Sequence, residues 1–363
     1  MGSEANFLSG GFSVTVGDAN KSICSPRFSP DGNTLVYLQS EVGGPHFQAC
    51  QLVKCCWETK QTLIIIDRIN TPIGNEFPGL YLNALPQNCF IGDGNTVVLS
   101  TCWHSKWASA LNIFFVEVII NLTYGSITKL SKDETVGCWQ VLTVKENFIV
   151  ACLSALNSTP HVLYPILFVK CGFAVLLVNY RGSKGFGEDN LRSLLGKIGQ
   201  QDVFDVQCAA EVAAQRDEIN PDKMIIFGGS HGGFLACHAI GQFPSFYRAS
   251  MDATDIPDWR CVESGVIPDY SPTCVPEPKQ LEHMWNKSPM KFVKNVHVPT
   301  LVILGKNDLR VPVTQGMKFY KTLLAQGVSS QMYMYDDNHA LSKVNVEADM
   351  FVNTVLWFKK FIN

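Results

Sequence analysis

Two rhythms of apolar and polar positions run along the chain. Up to about residue 155, short Val, Ile, Leu and Tyr runs are separated by turn residues, with no sustained 3.6-residue period. From about residue 156, continuous apolar runs alternate with amphipathic ones, the pattern of a parallel sheet covered by helices on both faces. The pattern predicts an all-β domain over 1–155 and an α/β domain over 156–363.

The β part contains a repeat. Phe28-Ser29-Pro30-Asp31-Gly32-Asn33-Thr34-Leu35-Val36-Tyr37 has a partner in Phe90-Ile91-Gly92-Asp93-Gly94-Asn95-Thr96-Val97-Val98-Leu99. Each is an Asp-Gly-Asn turn feeding a β-branched strand. A degraded third copy runs from Val144 to Val150. A period of about fifty to sixty residues is that of a propeller blade. The segment has room for about three blades, fewer than a closed ring requires. Three unrelated hairpins are the alternative. The Asp-Gly-Asn turns read as structural rather than metal-binding, and no catalytic constellation occurs here.

In the α/β part, Phe173–Asn179, Met224–Phe227 and Pro299–Gly305 read as buried strands, and Gln331–Tyr335 reads as the next strand. Asp202 is expected to cap a helix whose apolar positions are Val203, Val206, Ala210 and Ala213. Further helices are expected over Leu235–Phe243, over Thr314–Gln326 with Gly327 as its stop, and over Val344–Ile362. After the helix at Leu235 another strand is due. Phe246–Ser250 is a poor candidate, so this strand reads as deleted between Arg248 and Ser250. Asp255–Lys294, rich in prolines and aromatics, is expected to form helical turns over an active-site mouth.

The chemistry concentrates where the strands end. Gly228-Gly229-Ser230-His231-Gly232 fits G-x-S-x-G between an apolar strand and a helix. A strand turning at once into a helix forces the serine into strained backbone geometry, and neighbouring glycines let the turn close. Such an elbow lifts the Ser230 hydroxyl clear of the sheet, with a helix N-terminus beneath it that favours developing negative charge. Two later strand ends carry Asp308 and His339, completing the order Ser, Asp, His of an α/β-hydrolase. Ser230 would be the nucleophile, His339 its base, and Asp308 the residue that fixes the His339 tautomer. Asp336 and Asp337 are rival acids, but their closeness in sequence to His339 makes them loop caps. The His231 backbone N–H is the expected first oxyanion donor. His161, His238, His283 and His297 read as structural.

Composition narrows the picture. The chain has 363 residues, 46% apolar and 17% charged, which excludes disorder. A net charge of −3 leaves no basic footprint for nucleic acid. The longest apolar stretches are broken by Glu117 and Lys170, so no membrane span is expected, and the start lacks the pattern of a secretory signal. Asn6 stands where a myristoylation motif requires Ser or Thr. Thirteen scattered cysteines without a C-x-x-C point to free thiols in a reducing cytoplasm, and the sequons at Asn121 and Asn157 are then inert. No metal or organic cofactor is implied.

These residues resemble the prolyl oligopeptidase family of serine peptidases over nearly the whole chain. Ser25–Thr34 looks like a blade motif, while Gly172–Ser183, Gly228–Phe234, Thr254–Trp259 and Asp308–Pro312 look like the hydrolase domain. The resemblance implies an α/β-hydrolase behind an incomplete propeller. It implies release of N-acylated amino acids from the ends of short blocked peptides, in the cytoplasm, by a homo-oligomer. It also implies that Arg310, two residues past the acid, binds a substrate backbone carbonyl, a task suited to a planar guanidinium. The family's histidine-glycine-glycine-proline stretch, which supplies a second oxyanion donor, has no counterpart before Phe173. Asn157–His161 stands in its place, and a hydroxyl from Tyr180 is a possible substitute. Two other readings stay open, a carboxylesterase-like hydrolase of small acyl esters and a catalytically inactive binding or assembly homologue.

Overall fold

The computed structural model describes residues 5–9, 12–18, 20–45, 48–74, 76–91, 94–103, 116–129, 139–145, 148–153, 160–253 and 277–362. The chain forms two compact units, Met1–Thr159 with Gly182–Ser193, and Pro160–Arg181 with Leu194–Asn363.

The first unit is antiparallel throughout. A hairpin of β1 (Ala5–Ser9) and β2 (Phe12–Val16) precedes a four-stranded meander of β3 (Lys21–Phe28), β4 (Thr34–Glu41), β5 (Gln51–Cys56) and β6 (Thr62–Ile66). A second meander follows with β7 (Phe90–Ile91), β8 (Thr96–Thr101), β9 (Val116–Asn121) and β10 (Ile127–Lys129), then a hairpin of β11 (Trp139–Lys145) and β12 (Phe148–Leu153). Each meander is a propeller-like blade. The sequence repeat falls on the first hairpin of each blade, β3–β4 and β7–β8, and its third copy on β11–β12. Gly32 and Gly94, equivalent in the repeat, both hold φ 76°, a left-handed conformation that favours glycine. In the first copy Asp31 Oδ1 accepts from Ser29 Oγ and from the Asn33 N–H at 3.1 Å, which closes the turn. Asp93 of the second copy and residues 146–147 of the third lie outside the described residues.

Strand alternation builds the cores of this unit. Val36, Leu38 and Leu52 of the first blade pack with Val97, Leu99, Val118 and Ile120 of the second. Leu35, Tyr37, Val53 and Cys55, on the opposite pleat, cluster with Ile23. Gly182–Ser193, which follows the α/β pattern in sequence, belongs with these blades. It carries the short helix α2 (Glu188–Arg192), whose buried Glu188 accepts from the Ala49 N–H at 3.0 Å. Arg192 reaches Glu41, which Arg68 also contacts, and the two guanidiniums hold the Glu41 carboxyl down at about 2. A Cβ on Gly187 would lie 2.5 Å from the Asn70 carbonyl oxygen, so this approach requires glycine.

The second unit is α/β. Its sheet has the order β13 (Ile225–Gly229), β14 (Ala249–Ala253), β15 (Thr300–Gly305), β16 (Ser330–Tyr335), every pair parallel. Its helices are α1 (Pro160–Lys170), α3 (Gln201–Ala214), α4 (His231–Gln242), α5 (Pro278–Lys287), α6 (Val313–Ala325) and α7 (Val344–Ile362). Tyr164 and Phe168 of α1, and Met350, Trp357 and Phe358 of α7, cover one face through Ala249, Met251, Leu301 and Ile303, with Ile225 and Phe227 alongside. Ile226, on the other pleat, packs with Cys237 and Ile240 of α4 and Phe319 and Leu323 of α6. α6 ends as the glycine predicts: Gly327 takes φ 75° and donates to the Leu324 carbonyl, while Val328 donates to that of Leu323. Among the described residues, no helix is long and apolar enough to cross a membrane.

Three expectations are corrected. The strand after the elbow helix is not deleted: β14 lies between β13 and β15 in register with both. It was hidden because Ser250 and Asp252 interrupt its apolar run, and the Ser250 hydroxyl is buried with no partner among the described residues. Phe173–Asn179, expected as a buried strand, is irregular, and Val175, Leu176 and Leu177 are exposed by 37%, 40% and 58%. Its ends are tied elsewhere. The Phe173 N–H bonds the Phe168 carbonyl and the Phe173 ring packs on Phe168, while the Arg181 N–H and guanidinium bond Asp205. Asp202 does not cap α3, whose N-cap is Gln200; it stands fully buried inside the first turn. Of the segment Asp255–Lys294, residues 254–276 lie outside the described residues, Thr254–Trp259 among them. The remainder forms α5 and a 3-10 turn at Pro289–Asn295 that packs Met290 and Val293 against α4.

Candidate active site

Three strand ends of the parallel sheet converge. Ser230 follows β13, and its backbone at φ 54°, ψ −129° is one of four non-glycine positive-φ residues among those described. That conformation costs about 1–3 kcal/mol and persists only where the surroundings impose it. Part of the imposition is a close approach. A Cβ on Gly228 would lie 2.1 Å from the Gly232 carbonyl carbon, so this position admits only glycine. Gly232 differs, since a Cβ there would meet nothing within 4 Å. The first glycine of the motif is therefore a packing requirement and the second leaves open space beside the serine.

The Ser230 hydroxyl lies 2.9 Å from His339 Nε2, and His339 Nδ1 lies 2.8 Å from Asp308 Oδ2. His339 sits in the loop after β16 and Asp308 in the loop after β15. The Asp308 side chain is 2% exposed, and its other oxygen accepts the Arg310 and Val311 N–H groups, each at 2.8 Å. Two backbone donors hold the carboxylate while its second oxygen faces the imidazole. A neutral His339 with its proton on Nδ1 then presents a bare Nε2 to the serine hydroxyl. The rival acids are occupied elsewhere. Asp337 accepts the Asn338 and Lys343 N–H groups, and Asp336 accepts from the Asn307 side-chain amide at 2.9 Å.

The remaining candidates sit as follows. Arg310 is exposed in the loop that carries Asp308. His231 opens α4; the Gly233 and Phe234 N–H groups bond the Ser230 carbonyl, whereas the His231 N–H has no acceptor among the described residues. The Tyr180 ring lies 5.6 Å from the His231 ring, beside the elbow rather than on a strand end. His238 is fully buried, bonded through Nε2 to the Lys287 carbonyl and through Nδ1 to Gln242, and burial drives its imidazole down to about 4. It stays neutral and plays no part in the site. The side chain of His161 and residues 157–159, where a second oxyanion donor was sought, lie outside the described residues.

The sequence reading overlooked what the His231 side chain touches. Its Nε2 lies 3.0 Å from Asp202 Oδ2. The available signal was weak: an aspartate one residue into a helix of otherwise buried apolar spacing. Among the described residues, no group of three or more His, Cys, Asp or Glu could hold a metal ion, and nine cysteines, Cys24 to Cys102, Cys171, Cys208 and Cys237, are free thiols.

A parallel sheet with a strained serine at a strand-to-helix turn, and a histidine and an aspartate on later strand ends, defines an α/β-hydrolase. Comparison with known proteins narrows the class. The chain belongs to the prolyl oligopeptidase family, whose model matches residues 161–363, and residues 9–172 match the N-terminal domain of acylamino-acid-releasing enzyme. The acylamino-acid-releasing enzyme of Rattus norvegicus is 34% identical over 449 positions, covering 96% of this chain and 60% of that protein. The Homo sapiens enzyme is 31% identical over 451 positions, covering 97% of this chain and 60% of its own length. The chain thus spans about three fifths of these relatives, and each alignment runs over more positions than the chain has residues, so the relatives carry internal segments that this chain lacks. In fold, the chain matches the acylaminoacyl peptidase of Pyrococcus horikoshii with a TM-score of 0.54 at 14% identity, over 94% of this chain and 56% of that one.

Proposed function

We propose that this chain is a serine exopeptidase that releases N-acylated amino acids from the N-terminus of short blocked peptides. The observation that carries this reading is the continuous relay from the strained Ser230 through His339 to Asp308, at 2.9 and 2.8 Å. The match of residues 9–172 to the N-terminal domain of acylamino-acid-releasing enzyme supports the substrate class. Ser230 attacks the acyl-amino-acid carbonyl, His339 takes the hydroxyl proton and returns it to the leaving amine, and Asp308 stabilises the imidazolium. The His231 N–H meets the oxyanion at the positive end of α4. Arg310 holds a backbone carbonyl of the peptide through its guanidinium fork. The proposal extends to a cytoplasmic location and a homo-oligomeric state.

One oxyanion donor is assigned where two are usual. Losing one costs about 3 kcal/mol, or roughly 10²–10³ in kcat. β14 is present beside the elbow strand, so no further loss from a deletion after the elbow helix is expected. The test is a fluorophosphonate probe together with an N-acetylated amino-acid anilide. Labelling at Ser230 with slow, measurable anilide turnover is expected; absence of both would leave an inactive homologue as the better reading. Arg310→Ala is expected to raise KM for acetylated peptides by about tenfold, the worth of one hydrogen bond to a charged group, and to leave small esters nearly untouched. Equal effects on both would remove Arg310 from substrate binding.

A further inference from the structure

The reaction proposed above uses the backbone of His231 and leaves its side chain without a task. The elbow is also short of local restraint. Ser230 occupies the N-cap of α4, yet its hydroxyl lies on His339 and no side chain caps the helix. A serine at that position ordinarily stabilises its helix by accepting from a first-turn N–H. The strand beneath, β13, pairs only with β14 among the described strands. The first turn of α4 must nevertheless hold one N–H still where charge develops.

The His231 ring provides a restraint from the side. Nε2–H donates to Asp202 Oδ2 at 3.0 Å, and the ring stacks on Phe234 at 5.3 Å and 29°. Asp202 is 0% exposed, and its Oδ1 accepts the Gly199 N–H at 2.8 Å and the Val203 N–H at 3.0 Å. Carboxyl oxygens so buried are costly unless donors match them. Two come from the backbone at the start of α3 and the third is His231. Lys287 is the nearby cation, its ammonium bonded to Gln200 Oε1 at 3.0 Å, and the neutral His238 lies behind. Gly199 closes the arrangement. A Cβ there would come within 3.1 Å of both His238 Nε2 and the Lys287 carbonyl oxygen. The first residue of α4 is thereby tied to the rigid start of α3, independently of the hydroxyl that the helix has given up.

We propose that Asp202 and His231 form a positioning pair that holds the first turn of α4, and with it the His231 N–H, in place for the oxyanion. The proposal rests on the acyl-transfer reading. Substituting the His231 side chain leaves its N–H present, so any loss of rate reports the side chain alone. The test measures kcat and KM on an N-acetylated amino-acid anilide, the rate of fluorophosphonate labelling of Ser230, and the melting temperature. His231→Ala is expected to lower kcat and the labelling rate about 10- to 100-fold, up to the cost of a misplacement of about 1 Å, with KM changed less than about twofold. His231→Gln, whose amide N–H can reach Asp202, is expected to recover at least half of that loss on a logarithmic scale. Asp202→Asn should fall by the same factor as His231→Ala, with the double variant no lower. Should Asp202→Asn fail to fold, the two His231 variants decide the matter. If wild type is labelled and turns over but His231→Ala matches it, if His231→Gln is as slow as His231→Ala, or if only KM moves, the positioning role is overturned while the acyl-transfer reading stands. If wild type is neither labelled nor active, the acyl-transfer reading fails and the positioning role fails with it.

Discussion

The parallel sheet has two unlike flanks. On one, β15 is bonded on both sides, by β14 and β16, and its six residues are all buried. On the other, β13 is bonded by β14 alone among the described strands, and the apolar run Phe173–Asn179 forms no ladder. Asp308 and His339 stand at the end of the first flank, while Ser230 stands at the end of the second. The same chemistry therefore relies on two kinds of support. Asp308 inherits its place from the doubly paired β15, whereas His339 follows β16, which among the described strands is bonded by β15 alone, and is held through its contact with Asp308. The serine depends on the Gly228–Gly232 contact, on α4, and on the link from His231 to Asp202. A catalytic residue can sit at a sheet edge if helix packing and polar contacts do what a missing neighbour strand would have done.

The largest expected effect tests whether the two flanks act as one unit. Ser230→Ala and His339→Ala should each lower kcat by about 10⁶, and Asp308→Asn by about 10⁴, because members of such a relay fail together. Turnover of an acetylated amino-acid anilide measures this. A rate for Asp308→Asn within tenfold of wild type would uncouple the β15 flank from the chemistry.

Next in size is the stability of the well-paired flank. Leu301 in β15 is fully buried within the cluster formed by Ile303, Met350 and Phe358. Leu301→Ala should cost about 2–5 kcal/mol, from lost transfer energy and the cavity left behind. Urea unfolding gives the value, and a cost under about 1 kcal/mol would mean that this flank is looser than its pairing suggests.

A third effect appears on acidification. Burial holds the His238 imidazole down to about 4, below its usual value near 6.5. In the window between those values the unfolded chain binds a proton that the folded chain does not. Stability therefore falls as the pH falls from about 6.5 to about 4, by on the order of 3 kcal/mol once the lower end is passed. Because His238 bonds α5 through the Lys287 carbonyl, the effect bears on the helices behind Ser230. Urea midpoints at pH 7 and pH 4.5 should diverge more for wild type than for His238→Asn. Equal divergence would assign the acid sensitivity to other groups.

Much of this was legible because local signals agreed with tertiary ones. The G-x-S-x-G turn, the Gly327 stop of α6, and the Asp-Gly-Asn repeat are short-range features with one steric solution each, and they fall where the pattern placed them. The Ser230, Asp308 and His339 side chains could be nominated because they close successive strands, although their distances could not be known. The illegible parts share a different cause. β14 carries Ser250 and Asp252 within its run, with Ser250 fully buried, so composition concealed a strand that its two neighbours impose. No element is expected from the pattern over α1, a helix that contains Pro165. Asp202 looked like a helix cap, because nothing in the spacing shows which residue from a distant helix will come to meet it. Phe173–Asn179 failed in the opposite sense. A continuous apolar run reports the environment in which a segment is usually covered, and the longer relatives carry segments that this chain does not.

The smallest expected effect sharpens the comparison most, because it lies on that same run. Leu177 is as apolar as Leu301 but 58% exposed, and among the described residues it takes part in no strand pairing. Its side chain has little buried area to lose. Leu177→Ser should therefore change stability by no more than about 0.5 kcal/mol, as for surface substitutions away from special features. Leu176→Pro extends the test to the backbone. In a paired strand a proline removes a ladder hydrogen bond and is confined to edges. Among the described residues no hydrogen bond uses the Leu176 N–H, so this change should cost far less than the same change in β15. Urea unfolding of both variants beside Leu301→Ala supplies the measurement. If Leu177→Ser cost as much as Leu301→Ala, the run would have to be covered and paired in solution. Ser230 would then stand on a strand held from both sides, and the link from His231 to Asp202 would be one support among several.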